Sequence, residues 1–295
     1  MSPSRLSINR YLFAVILAAA CSPVSYAAQK NKFFEAPSNS PLDRLQAQKE
    51  LSLSDAQALV DSGEPLILEV TTLDEDVAEV LAQSSCRALS LRQVPVISKP
   101  AAVAIASWSG GESRTGLFAG IKGRLHLGLS EISDDVAEAL SQAQCTMLEL
   151  GNAAGKAIPK LSVKAANSLS RYQGNLTLHV ELLPVWGEWA FADSGAALRL
   201  PRLRSIASSR LLKKLVADAD GHFEIGLETL HAEEAVIIAE QELQTLRLPG
   251  IKNLSPEVAE ILANAKARQI SLMGLKDCPP DVRSVLERNK GVSLP

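Results

Sequence analysis

Aromatic side chains are scarce in this sequence: 6 Phe, 3 Trp and 3 Tyr make up 4% of its 295 residues. The core must therefore be built from Leu, Val, Ile and Ala, which suits thin, stacked layers of repeated units. Hydrophobic residues account for 46% of the chain and charged residues for 21%, both close to the globular average. This balance excludes a chain that is intrinsically disordered throughout.

Long apolar runs and a disulfide framework are also missing. No stretch beyond the N-terminus approaches the ~20 apolar residues that a transmembrane helix needs. Cys86, Cys145 and Cys278 follow the N-terminal segment, and an odd number leaves at least one thiol unpaired. Cys86 and Cys145 occupy equivalent places in two copies of a repeat, too far apart for a disulfide. We therefore expect both to be buried as small apolar side chains.

The N-terminus has the features of an export signal. Two arginines precede the apolar run 11–20, and small residues follow at the cleavage position, so we predict a signal peptide over residues 1–27. Lipidation of Cys21 is the alternative, and membrane attachment is expected only in that case. The expected destination is the periplasm, the cell envelope or the exterior. Residues 28–50 are polar, with Pro and Ser, and predict a flexible N-terminal arm.

The charge balance and the motifs argue against several functions. Removal of residues 1–27 takes two arginines and no acid, which leaves a formal charge of −5 and disfavours nucleic acid as a partner. A basic run lies between residues 199 and 214. We expect no enzyme and no cofactor, because no catalytic constellation is present. We also expect no metal site: His126, Glu149 and His179 lie near the same strip and have suitable chemistry, but the sequence does not show that they converge on one point.

Three segments repeat one pattern: 77–91 (VAEVLAQSSCRALSL), 136–150 (VAEALSQAQCTMLEL) and 258–272 (VAEILANAKARQISL). Such recurrence is typical of a solenoid, in which each unit buries its apolar face against its neighbours. The residues that close successive apolar-x-apolar triplets are Leu68, Leu91, Leu127, Leu150, Leu178, Leu200, Ile225, Leu248, Leu272 and Leu294. Eight of the nine intervals between them span 22–28 residues. We predict a repeat solenoid of about nine to ten units over residues 51–295.

Each unit consists of a strand followed by a helix. Leu246 and Leu248 flank a polar residue, as in a half-buried strand. Ser255 then caps a helix that starts with Pro256, and Ser133 does the same in an earlier unit. Strand–helix units of constant period place parallel strands side by side and helices outside. The predicted fold is therefore α/β, a curved solenoid.

These units resemble the leucine-rich-repeat-like arrays of bacterial exported proteins, most clearly at 255–259 (SPEVA) and 270–275 (ISLMGL). The resemblance covers roughly residues 51–295, although most units lack the Asn of standard leucine-rich repeats. It implies a horseshoe with parallel strands on the concave face and helices outside. It also implies that ligands bind to the concave sheet and that the protein has no catalytic site.

The residues between the paired core positions of each strand are expected to face away from the core. We call them the central strip, and they are Ser90, His126, Glu149, Thr177, Arg199, Glu224, Arg247 and Ser271. Neighbours should lie about 4.8 Å apart in a parallel ladder, so that Arg199, Glu224 and Arg247 alternate in sign. The strip can serve as a charge ladder that sets the stacking register or as a recognition surface for a polar ligand.

Two irregular segments interrupt the repeats, the glycine-rich insertion 110–123 and the segment 184–195. The second gathers Trp186, Trp189 and Phe191 where a helix is expected. These rings either fill the gap left by a missing helix or contact a partner, since irregular segments of repeat proteins often carry the contacts. Trp186 and Trp189 therefore join the central strip as candidate binding residues.

The sequence thus predicts an exported, non-catalytic repeat protein that binds a protein or an envelope polymer through its concave strand surface. The alternative is a structural spacer of the cell envelope without a dedicated ligand. The sequence ends with a strand-like segment, 292–295, whose edge could pair with another strand, although Pro295 cannot donate a hydrogen bond. We therefore expect a monomer or a weak edge-to-edge dimer.

Overall fold

The computed structural model describes residues 41–111, 123–152, 155–276 and 278–295, and the predicted signal peptide, with Cys21, lies outside them. Helices alternate with short strands along the chain. The helices are α1 (Pro41–Gln46), α2 (Leu53–Ser62), α3 (Glu75–Ala82), α4 (Lys99–Ala106), α5 (Asp134–Leu140), α6 (Val163–Leu169), α7 (Val185–Ala192), α8 (Ser209–Ala217), α9 (Ala232–Ala239), α10 (Pro256–Ala263) and α11 (Pro280–Leu286). The strands are β1 (Leu66–Leu68), β2 (Ala88–Leu91), β3 (Arg124–Leu127), β4 (Met147–Leu150), β5 (Ile158–Lys160), β6 (Asn175–Leu178), β7 (Val180–Leu182), β8 (Ala197–Arg199), β9 (His222–Glu224), β10 (Thr245–Arg247), β11 (Gln269–Ser271) and β12 (Val292–Ser293).

The strands pair in parallel, which confirms the mixed α/β class. Three sheets result: six strands in the order β1-β2-β3-β4-β6-β8, four strands in the order β9-β10-β11-β12, and the pair β5-β7. Each helix from α1 to α11 packs against the next. The helices therefore form one continuous row, whereas the main run of strands divides between β8 and β9.

The apolar positions of each triplet form the core between the strands and the helices. Leu89 and Leu91, for example, are fully buried in β2. The predicted helix caps are confirmed: Ser255 Oγ accepts the N–H of Val258 at 3.2 Å in α10, and the equivalent bond of Ser133 starts α5. Caps of this kind contribute about 1 kcal/mol each. Local sequence signals thus set where most strands and helices begin.

The chain before β1 is folded onto the first strand. The backbone C=O of Gln46 at the end of α1 accepts the N–H of Glu69 at 2.9 Å, and the C=O of Lys49 accepts the N–H of Thr71 at 2.9 Å. These bonds occupy backbone groups at the edge of the sheet, where free groups would invite another strand. The described part of the expected arm, residues 41–50, thus contains helix α1 and two hydrogen bonds to the segment that follows β1.

The glycine-rich insertion begins and ends at one point of the fold. The N–H of Gly123 donates to the C=O of Ser109 at 3.1 Å, and Trp108 is fully buried beneath this junction. A Cβ atom on Gly123 would lie 2.3 Å from the Trp108 ring, so a larger residue does not fit there. Residues 112–122 of the insertion lie outside the described residues.

The second irregular segment is helix α7, so the expectation that a helix is missing here is wrong. Gly187, Glu188 and Phe191 form its buried face. A Cβ atom on Gly187 would lie 2.7 Å from the Cβ of Ala166, and glycine therefore permits the close approach of α6 and α7. The helical period escaped recognition because a glycine and a charged residue occupy positions where apolar side chains are usual.

Glu188 joins α7 to the start of α8. Its buried carboxylate accepts the backbone N–H groups of Ala207 and Ser208 at 2.9 and 2.7 Å. Ser208 is the N-cap of α8, so the negative charge also faces the favourable end of the helix dipole. Burial nevertheless raises the pKa of Glu188, because it disfavours the charged form more than these two bonds favour it.

The three described cysteines are free thiols, and Cys86 and Cys145 are buried as predicted. Burial raises the pKa of Cys145, which lies beside the hydroxyl of Tyr172. Neither thiol has the exposure of a reactive cysteine. Within the described ranges no helix has the length and apolar character needed to cross a membrane.

Candidate functional site

A cavity of about 350 Å³ lies where the row of strands divides, between β8 and β9. We call it the cleft. Its floor is apolar and includes Leu198, Leu215 and Phe223. Its polar lining includes Arg124, Glu149, His179, Arg199, Glu224 and Arg247. With Thr177, which also lines the cavity, five central-strip residues from both sheets take part in one concave site, together with polar residues that lie outside the strip, such as Arg124 and His179.

The end of α8 occupies the edge of β8 in place of a neighbouring strand. Asp218 Oδ2 accepts the backbone N–H of Leu198 at 3.0 Å, and Lys214 Nζ donates to the backbone C=O of Ala196 at 2.8 Å. The two side chains also form an ion pair at 2.9 Å. The two side chains thus bind a backbone C=O just before β8 and a backbone N–H within β8, which a neighbouring parallel strand would otherwise bind.

The turn before β9 completes the separation. Asp220 and Gly221 both have positive φ, +45° and +82°. This turn directs the N–H of His222 to the C=O of Ala219 within the same turn, at 2.8 Å. In the next unit the corresponding residue, Thr245, instead donates to the preceding unit, at the C=O of Gly221. The first N–H of β9 is therefore unavailable to β8.

Glu149 is the centre of the polar network on one side of the cleft. Arg124 forms an ion pair with Glu149 Oε2, and His179 Nε2 donates to Oε1 at 3.2 Å. His126 Nδ1 lies 3.7 Å from Oε2. The carboxylate is nearly buried, so these cationic and hydrogen-bonding neighbours replace the water that it loses.

The pKa of Glu149 reflects this competition. Burial alone would raise it, but the hydrogen bond from His179 and the charges of His126 and Arg124 outweigh burial and hold the pKa at about 2. Burial also lowers the pKa of His126. Its Nδ1 accepts from Arg92 at 3.2 Å and its Nε2 lies 3.1 Å from the C=O of Gly151, an arrangement that fits a neutral ring. Arg124 is therefore the permanent counter-charge of Glu149, whereas the charge of His126 adds to it only at low pH.

Arg199 differs from the other arginines of the basic run 199–214. Arg202 donates to the C=O of Gly155 at 2.9 Å, Arg204 pairs with Glu181 at 2.9 Å, and Arg210 pairs with Asp193. In the part of the chain that the structure describes, the side chain of Arg199 has no hydrogen bond and no ion pair. Its guanidinium lines the cleft.

The opposite side of the cleft carries a balanced pair. Glu224 and Arg247 are register partners on β9 and β10, and their side chains lie 3.7 Å apart. Both are about half exposed, so their attraction contributes less than about 1 kcal/mol. The expected alternation of Arg199, Glu224 and Arg247 is wrong at its first step, because β8 and β9 do not pair. Arg199 and Glu224 both line the cleft instead.

The strand register places most of the central strip as expected. Ser90, His126, Glu149, Thr177 and Arg199 are consecutive partners on β2, β3, β4, β6 and β8, and Glu224, Arg247 and Ser271 are consecutive partners on β9, β10 and β11. Two of them, however, are covered by other parts of the chain.

Ser90 and His126 are buried, at 7% and 4% exposure. The Arg92 side chain and the C=O of Gly151, which follows β4, both contact the His126 ring. The covering groups come from positions outside the strip, and for Gly151 from a different unit, so the pattern within β3 could not reveal them. These two strip residues are inaccessible to a partner on this surface.

Trp186 and Trp189 lie on α7, outside the lining of the cleft. Their side chains are 67% and 57% exposed, and their ring centroids lie 5.7 Å apart with an interplanar angle of 57°. The interpretation that these rings fill a gap is therefore wrong for both. Phe191, which is fully buried, is the aromatic residue of this segment that joins the core.

Sequence reasoning missed Lys214, Asp218, His222 and Thr245. The pair Asp220-Gly221 is a recognisable turn signal. Nothing near Asp218 in the sequence, however, shows that its carboxylate reaches a backbone N–H twenty residues earlier. In the described residues no three His, Cys, Asp or Glu side chains are arranged to hold a metal ion.

No protein-family model matches the chain, and no curated protein matches it either.

Proposed function

We propose that this chain is a non-catalytic binding protein that holds a protein or an envelope polymer through the strand surface around the cleft. The observation that supports it best is Arg199, a guanidinium without a partner among the described residues at the mouth of a preformed cavity. Unpaired arginines are common anchors of interfaces, because their planar group binds carboxylates in two parallel hydrogen bonds.

We also propose the finer architecture that the repeats predict. The chain forms a curved, leucine-rich-repeat-like solenoid of about nine to ten units, with the strands on the concave face. Export through the segment 1–27, or attachment through Cys21, would bring that face to the cell envelope. The proposed surface runs from Glu149 to Ser271, because Ser90 and His126 are buried. Trp186 and Trp189 form a separate, second contact.

A structural spacer is the second candidate, and one set of contacts favours it. A chain of ion pairs links β7 to the loops that follow β8, β9 and β10: Glu181 with Arg204 at 2.9 Å, Arg204 with Glu228 at 3.8 Å, and Glu228 with Lys252 at 3.6 Å. These ion pairs join successive units to one another, and they need no ligand to do so. Arg199 takes no part in this chain, which is why binding is our first proposal.

Cross-linked capture from the native envelope fraction tests the proposal. The variant Arg199→Glu/Arg247→Glu should reduce the yield of a specific partner about tenfold or more, because it reverses two charges at the cleft. The matched control is Arg210→Glu/Arg288→Glu, which reverses two exposed arginines whose pairs, with Asp193 and Glu260, lie away from the cleft. Circular dichroism and thermal melting establish that both variants are folded.

The control should keep the partner. A partner retained by both variants would contradict a role for the cleft and direct attention to Trp186 and Trp189. No partner with any of the three proteins would favour the spacer.

A further inference from the structure

The polar lining of the cleft has one positive charge in excess. Arg124 is balanced by Glu149, and Arg247 is balanced by Glu224. Asp218, the acid at the end of α8, is already engaged by Lys214 and by the N–H of Leu198. The charge of Arg199 therefore remains for a ligand, which must be an anion.

The floor of the cleft excludes a purely ionic ligand. Leu198, Leu215 and Phe223 belong to the apolar core and line the cavity directly beneath the charged groups. A small, fully hydrated anion would leave this apolar surface uncovered. A ligand that covers it needs an aliphatic group, and burial of each CH₂ then favours binding.

His179 supplies a third requirement. Its ring is buried, at 4% exposure, and lines the cleft. Glu149 is ionised and can only accept, so His179 Nε2 carries the hydrogen of that bond. The other ring nitrogen, Nδ1, is buried and has no hydrogen-bond partner among the described residues. In the neutral ring Nδ1 is an acceptor, and a ligand N–H would satisfy it once the groups that cover this nitrogen move aside.

The carboxylate, the aliphatic group and the N–H occur together at the C-terminal residue of a peptide. We propose that the cleft binds an apolar residue with a free α-carboxylate at the end of a peptide chain. Its carboxylate lies at Arg199, its side chain on the apolar floor, and its amide N–H towards His179 Nδ1. A volume of about 350 Å³ suits one such residue rather than a large cofactor. This inference deepens the proposed function and rests on it for the identity of the partner as a peptide.

Isothermal titration calorimetry with four probes tests the inference on the folded chain. The probes are N-acetyl-L-leucine, its amide N-acetyl-L-leucinamide, hexanoate, and the N-acetylated tripeptide Ala-Ala-Leu with a free C-terminus. N-acetyl-L-leucine and the tripeptide should bind at one site. The uncharged amide should bind at least about tenfold more weakly, because it lacks the carboxylate. Hexanoate should bind more weakly than N-acetyl-L-leucine, because it lacks the N–H.

The variant Arg199→Gln should lower the affinity for N-acetyl-L-leucine about tenfold or more. The variant Arg210→Gln, which is remote from the cleft, should leave this affinity unchanged. Equal binding of acid and amide, or an unchanged affinity in Arg199→Gln, would overturn the proposal. The comparison of acid and amide needs no variant and so does not depend on whether a substitution folds. If N-acetyl-L-leucine binds and the tripeptide does not, the ligand is not the end of a peptide but a free acylated amino acid, and the proposal is overturned.

Failure of the inference and failure of the proposed function give different results. Loss of the captured partner in Arg199→Glu/Arg247→Glu, with no binding of the four probes, would retain the binding function and reject the terminal residue as its ligand. Binding of the probes, with no captured partner, would retain the cleft as a carboxylate site and reject a macromolecular partner.

Discussion

Asp218 Oδ2 accepts the backbone N–H of Leu198 at 3.0 Å and binds Lys214 Nζ at 2.9 Å. One carboxylate thus replaces part of a neighbouring strand at the edge of β8. Since Leu198 itself is fully buried, its N–H has little access to water when the carboxylate is removed. The cleft exists because this carboxylate, rather than a neighbouring strand, binds the edge of β8.

Replacement of Asp218 by alanine should lower the free energy of unfolding by about 1–3 kcal/mol, the cost of an unsatisfied buried donor. Urea denaturation measures this change, and amide hydrogen exchange at Leu198 should accelerate. The control is Asp193→Ala, because Asp193 forms an exposed pair with Arg210 and should cost less than about 1 kcal/mol. Equal losses in the two variants would contradict the role of Asp218.

Glu149 should make the protein acid-sensitive. Its folded-state pKa of about 2 lies below the unfolded value of about 4.3, so its stabilisation is complete above the unfolded pKa. That stabilisation is lost as the pH falls from about 4.3 towards 2, and it amounts to something on the order of 2–3 kcal/mol. The variant Glu149→Gln should therefore be less stable than the wild type at pH 6 and should approach it at pH 3, in urea denaturation at each pH. Glu260→Gln, on an exposed pair, should show no such convergence.

Glu188 should have the opposite pH dependence. Burial raises its folded-state pKa above the unfolded value, so the stability of the wild type decreases as the pH rises through this interval. Glu188→Gln keeps an oxygen for the N–H groups of Ala207 and Ser208 and removes the titration, so its stability should stay flat there. Glu188→Ala leaves both donors without an acceptor and should cost about 1–3 kcal/mol per donor. A Gln variant as unstable as the Ala variant would contradict this account.

Tryptophan fluorescence should separate the buried ring from the two exposed rings. Trp108 is fully buried and donates to Ser84 at 3.0 Å, whereas Trp186 and Trp189 are exposed. In the variant Trp186→Phe/Trp189→Phe, the remaining emission should shift to shorter wavelength and resist quenching by iodide. Its melting temperature should stay close to that of the wild type, because neither ring belongs to the core. Strong quenching of the single remaining tryptophan would show that Trp108 is accessible.

The features that sequence reasoning recovered depend on neighbouring residues. Apolar-x-apolar triplets such as Leu89-Ser90-Leu91 form strands because alternate side chains of a strand face opposite sides. Ser133 and Ser255 cap helices through an N–H three residues ahead. Parallel pairing then follows from the repeated order of strand and helix.

The features that it missed depend on residues that are distant in the chain. The division between β8 and β9 requires Asp218 to reach Leu198, and the burial of His126 requires contact from Gly151. Helix α7 was hidden for a different reason: Gly187 and Glu188 stand on its buried face, one for close contact with α6 and the other to cap α8. Because neither residue has an apolar side chain, the hydrophobic pattern of the sequence does not show the helical period of α7.

The junction of Ser109 with Gly123 has a consequence for engineering. Because a hydrogen bond joins these residues at 3.1 Å, the pairing of β2 with β3 does not depend on the number of residues between them. The entropic cost of a longer connection grows only with the logarithm of its length. An epitope tag inserted at this junction should therefore add little to the free-energy cost of pairing β2 with β3.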